Sequence, residues 1–75
     1  MSPRRPRVTA EQILRVLRRL GFEEVRSSGI HRILRNAEGK RVTIPYHAGR
    51  VLHPKILQHI LRDAGLSIDQ LRQDR

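Results

Sequence analysis

Apolar residues return at helical spacing in two stretches of this 75-residue chain, and a shorter-period pattern lies between them. Ile13, Leu14, Leu17 and Leu20 fall on one side of a helical projection. Val16 widens the stripe, and Arg15, Arg18 and Arg19 sit mostly opposite. Thr9-Ala10-Glu11-Gln12 has the composition of a capping box, in which the Thr hydroxyl and the Gln amide each satisfy an unpaired backbone N–H. Gly21 supplies a stop, so the spacing predicts a first helix over residues 10–20. A second helix is predicted to open at Pro54, whose fixed φ suits a first helical position. It carries Ile56, Leu57, Ile60, Leu61 and Ala64 as its apolar stripe and ends at Gly65. Ser67-Ile68-Asp69-Gln70 is a second capping box and opens a short last helix bearing Leu71.

Between the helices, residues 22–27 read as a first strand, although their alternation is poor. Ser28-Gly29 allows a tight turn, and residues 30–35 read as a second strand. Asn36-Ala37-Glu38-Gly39 is a turn, and residues 40–44 form a third strand with Val42 and Ile44 on one face. Pro45 is expected to end its pairing, since it has no N–H to donate. His47-Ala48-Gly49-Arg50 reads as a loop. Short turns predict an antiparallel meander. Each element has a single apolar face, so the order αβββα plus a last short helix predicts an α+β domain. In it, two helices cover one face of a three-stranded antiparallel sheet. Residues 1–8, with Arg4, Arg5 and Arg7 beside Pro3 and Pro6, read as a flexible basic arm. Residues 9–75 form the single domain.

Composition narrows the function. The formal net charge is +9, and Arg outnumbers Lys fourteen to two. The planar guanidinium fork suits phosphate oxygens, which favours a polyanion as partner. There is one Phe, one Tyr and no Trp, so a single-strand binder built on aromatic stacking is disfavoured. The chain has no Cys, which excludes disulfides and thiolate zinc sites and suits a reducing cytoplasm. No long apolar run occurs, so neither a membrane span nor a signal peptide is expected.

Imidazole is the side chain best placed to move protons near neutral pH. His31 follows Gly29-Ile30 at the entrance to the second strand, and His47 follows the third. RNA carries its own nucleophile, the 2′-hydroxyl. A protein needs only a base for that proton, an acid for the leaving oxygen and positive charge on the transition state. His31 is the candidate for the proton, and Arg32, Arg35, Lys40 and Arg41 are candidates for the charge. His47 is a possible second acid or base. His53 reads as a helix-terminal or surface residue and His59 as solvated. Histidines this scattered do not suggest a metal site, and no cofactor is expected. Three readings stay open on residues alone: a metal-independent ribonuclease, an RNA-binding module in which His31 is packed in the strand, and a basic half of a complex with an acidic protein.

Several segments together resemble HicA-type (YcfA-like) toxins over roughly residues 9–67. They are Leu17-Arg18-Arg19-Leu20-Gly21-Phe22; Arg26 with Gly29-Ile30-His31; Glu38-Gly39-Lys40-Arg41; Val42-Thr43-Ile44-Pro45-Tyr46-His47; and Ile60-Leu61-Arg62-Asp63-Ala64-Gly65-Leu66. The resemblance implies a double-stranded-RNA-binding-domain-like αβββα fold and endonucleolytic cleavage of messenger RNA by the toxin of a toxin–antitoxin pair. It also implies a HicB-like antitoxin as partner. It matches His31 to the family's catalytic histidine, Pro45 and His47 to its second recurrent site, and Arg26 and Gly29 to the surroundings of that histidine. Arg26 thereby joins the candidate phosphate contacts, and Gly29 becomes the backbone turn that presents the imidazole. Ile30 stands where the family carries Ser.

Overall fold

A computed structural model describes residues 7–74, so most of the basic arm expected over residues 1–8 lies outside the described residues. The element order is α1 (Ala10–Arg19), β1 (Glu23–Ser28), β2 (His31–Arg35), β3 (Arg41–Pro45), α2 (Pro54–Ala64) and α3 (Ile68–Asp74). The strands form one antiparallel sheet in the order β1-β2-β3, the α+β arrangement that the pattern predicts, consistent with the double-stranded-RNA-binding-domain-like fold that the resemblance implies.

The caps form as the sequence dictates. Thr9 Oγ1 accepts from Gln12 N–H at 3.2 Å, and Gln12 Oε1 accepts from Thr9 N–H at 2.9 Å. Ser67 and Gln70 make the same reciprocal pair ahead of α3. His53 caps α2, its Nδ1 accepting from Lys55 N–H at 3.1 Å. Gly65 ends α2 in the left-handed region at φ 72°, and Leu66 N–H turns back to Leu61 C=O at 2.8 Å, satisfying a terminal carbonyl.

The core gathers Ile13, Val16 and Leu17 of α1, Leu34 of β2, Val42 and Ile44 of β3, Ile60 of α2 and Leu71 of α3. Leu34 pairs with Val42, so one sheet face supplies all three buried strand residues, and the helices pack there. Two residues of the expected helical stripes point outward instead. Ile56 and Leu20 are both exposed, since each apolar stripe is narrower than the run of apolar letters. Val8 is fully buried and its C=O accepts from Leu52 N–H at 2.7 Å, so the folded contacts begin inside the segment read as an arm.

Two local expectations are corrected at the strands. The first turn is Gly29-Ile30 rather than Ser28-Gly29, because Ser28 is paired with His31. Gly29 has φ 56°, and no other residue type among those described has positive φ. Gly at the first central position followed by negative φ is the sign pattern of a type II′ hairpin turn. The β2–β3 ladder also runs past Pro45. His31 pairs with Pro45, and Tyr46 N–H donates to Ile30 C=O at 2.6 Å. That bond makes Ile30 and Tyr46 a hydrogen-bonded pair, so alternation places Pro45 at a non-hydrogen-bonded position where a missing N–H costs nothing.

Candidate active site on the open sheet face

Pairing fixes which side chains share a face, because directly opposed residues in a sheet project to the same side. The helix side takes Leu34, Val42 and Ile44. The open side takes three rows running across the strands: Ser28, His31 and Pro45; Arg26, Ile33 and Thr43; Glu23, Arg35 and Arg41. His31 is exposed and stands at the end of the open face where the β1–β2 hairpin turns. Arg26 lies one row away on the neighbouring strand. Arg35 and Arg41 lie two rows away, about 13 Å along the strand.

The open face therefore brings His31 together with Arg26, Arg35 and Arg41. It does not gather the other candidates. Arg32 projects to the helix side, at the sheet end that the helices leave partly open. Its Nη1 lies 3.2 Å from Glu24 Oε1, and its guanidinium stacks 4.7 Å from the centroid of the Tyr46 ring. Its charge is thereby paired, and it braces β1 against the chain leaving β3. Lys40, in the turn between β2 and β3, sends its ammonium to the C-terminal end of α2, next to Gly65. That end carries the helix's exposed carbonyls and negative dipole, which hold a cation well. Lys40 is thus far from the row that holds His31.

Arg35 and Arg41 are directly opposed. By the alternation set at Tyr46 and Ile30 they form a non-hydrogen-bonded pair, the closer kind for side chains. Like charges so placed repel, and a bound polyanion would relieve them. Glu23, the third member of that row, makes no ion pair within 4.0 Å among the described residues, whereas Glu24 is taken by Arg32.

His47 is exposed in the loop after β3, two residues beyond the partner of His31. This loop is pinned at both ends. Tyr46 N–H bonds Ile30 C=O, and the Gly49 N–H donates to Glu11 Oε2 at 3.0 Å. Beyond it, Thr9 bridges to Val51. Glu11, in the first turn of α1, thus ties the His47 loop to that helix. Sequence spacing gave no sign of this, since the contact spans 38 residues.

Two open-face residues are absent from the candidates read off the sequence. Ser28 is the direct cross-strand neighbour of His31, and Thr43 is diagonal to it. A two-residue loop count across Ser28-Gly29-Ile30-His31 would have found the first. Ile30, at the turn tip beside His31, is 43% exposed and offers no polar atom of its own side chain.

No described helix is long and apolar enough to cross a membrane. Among known proteins, the family described as the HicA toxin of bacterial toxin–antitoxin matches residues 10–66. That span takes in all three strands, α1 and α2, and both His31 and His47. No curated protein matches the chain.

Proposed function

The chain belongs to the HicA toxin family, as a toxin of a toxin–antitoxin system, and on that premise we propose that it is a metal-independent endoribonuclease that cleaves messenger RNA on the open sheet face with His31 as the proton-transferring group. The observation that carries this reading is an exposed imidazole on the side of the sheet that the helices leave bare, on the same face as Arg26, Arg35 and Arg41.

In the reaction, His31 takes the proton of the 2′-hydroxyl beside the scissile phosphate. The 2′-oxygen bonds to phosphorus, the bond from phosphorus to the 5′-oxygen breaks, and that oxygen leaves with a proton given by His47. The products are a 2′,3′-cyclic phosphate and a 5′-hydroxyl. His47 is the second acid or base; the backbone bond of its neighbour Tyr46 to Ile30 supports this reading. Arg26 stands nearest the reacting phosphate, and Arg35 and Arg41 meet phosphates further along the strand. Gly29 gives the backbone the turn that sets His31 at the sheet's end. No step calls on a metal or cofactor. DNA, lacking the 2′-hydroxyl, is not a substrate. A HicB-like antitoxin is the cognate partner. The net charge of +9 favours an acidic protein in that role.

Incubating the purified chain with end-labelled RNA in EDTA at low salt tests this reading. Shortened RNA is the expected result. Retarded but intact RNA would instead assign the face to binding without cleavage.

A further inference from the structure

An imidazole that takes a proton at one nitrogen works best when the other nitrogen's N–H is held, because that bond fixes both tautomer and ring orientation. The usual holder is a carboxylate or a backbone carbonyl, and no carboxylate among the described residues is available to His31. Glu24 is bound to Arg32 on the other side of the sheet, and Glu11 is bound to Gly49. Glu23 lies two rows away, and Glu38 is in the distant β2–β3 turn. Asp63 and Asp69 belong to helices α2 and α3, behind the sheet.

On the adjacent strands the open-face neighbours of His31 are four. Pro45 has no polar side-chain atom. Arg26 only donates, so it cannot accept from an imidazole N–H. Thr43 is diagonal, about 7–8 Å away by strand geometry, whereas a directly opposed pair stands about 5.5 Å apart at the Cα atoms. That leaves Ser28, which is directly opposed and exposed. Its register is held by the tightest kind of hairpin, so side-chain rotation alone brings its hydroxyl to the imidazole. In the structure neither side chain makes a hydrogen bond to any described residue, so nothing competes for either group. A hydroxyl both donates and accepts, so it can accept the Nδ1–H of either the neutral or the protonated ring.

We infer that Ser28 is the positioning residue of the site: its Oγ accepts the Nδ1–H of His31 across the β1–β2 hairpin and leaves Nε2 outward to take the proton from RNA. The catalytic consequence rests on the ribonuclease reading above; the contact itself does not.

The test compares Ser28→Ala and Ser28→Thr in the full chain, with two readouts. The first is the tautomer of His31 in the RNA-free protein, read from imidazole nitrogen chemical shifts at a pH where the ring is neutral. Wild type is expected to be predominantly the Nδ1–H form, Ser28→Ala to lose that preference, and Ser28→Thr to restore it. The second is the kinetics of RNA cleavage. Ser28→Ala is expected to lower kcat about tenfold, the scale of one hydrogen bond, with KM unchanged. Ser28→Thr should recover most of it. A purely structural serine would move neither the tautomer nor the balance of kcat against KM. An unchanged tautomer in Ser28→Ala overturns the inference. A Ser28-dependent tautomer in a wild type that never cleaves RNA would overturn the ribonuclease reading and leave the contact standing.

Discussion

Replacing His31 with Ala should abolish RNA cleavage and leave the fold intact. Removing a positioned acid or base typically costs about 10²- to 10⁴-fold in rate, and here the same side chain is asked to start the reaction. The structural cost is small for the same reason that the residue is available for chemistry. His31 projects from the bare side of the sheet, is exposed, and has no side-chain hydrogen bond to a described residue beyond the one inferred to Ser28. Substitutions at such positions usually change stability by about 0.5 kcal/mol or less. The variant should therefore unfold at the wild-type temperature, bind RNA, and fail to shorten it. In cells it should be expressed without arresting growth. Growth arrest at wild-type expression levels would move the chemistry away from His31.

Leu34→Ala is the complementary case, a large loss of stability from a residue three positions away on the same strand. Leu34 is fully buried, faces the helices, and is opposed by Val42 at the centre of the sheet. Truncating it leaves a cavity between sheet and helices, for which about 2–5 kcal/mol is typical. A chain of this length has roughly 4–11 kcal/mol of total stability, so the variant should lose a large share of it. Thermal and urea unfolding of the full chain would read this as a midpoint lower by on the order of 15 °C. A loss below about 1 kcal/mol would mean that the helices do not pack on this face as described. Together the two variants separate the sides of β2: one side is proposed to carry the chemistry, the other carries the fold.

That division was only half legible in the sequence. Apolar stripes at helical spacing located α1 and α2, capping boxes marked the starts of α1 and α3, and Pro54 marked the start of α2. Val42 and Ile44 likewise marked the buried side of β3. In β2 both Ile33 and Leu34 are apolar, so alternation could not say which of them faces the helices. The answer, Leu34, decides that His31 is open to solvent and that Arg32 points away from it. β1 was the hardest element. All six of its residues are exposed, and its pairing is irregular between Glu24 and Arg26, so no hydrophobic period survives there. The one-residue error in the first turn hid Ser28 for the same reason. Lys40 and Glu11 depend on contacts across the fold, to Gly65 and Gly49, which spacing does not encode.

The central claim is that RNA supplies the nucleophile and His31 handles its proton. The most direct measurement uses one end-labelled RNA cut by the wild-type chain in EDTA. The ends of its products are identified, beside the same RNA carrying a single 2′-deoxynucleotide on the 5′ side of the cut. Cyclic phosphate and 5′-hydroxyl ends, with cleavage lost at the deoxy position alone, are the expected result. Products ending in 5′-phosphate, or undiminished cutting at the deoxy position, would contradict the mechanism.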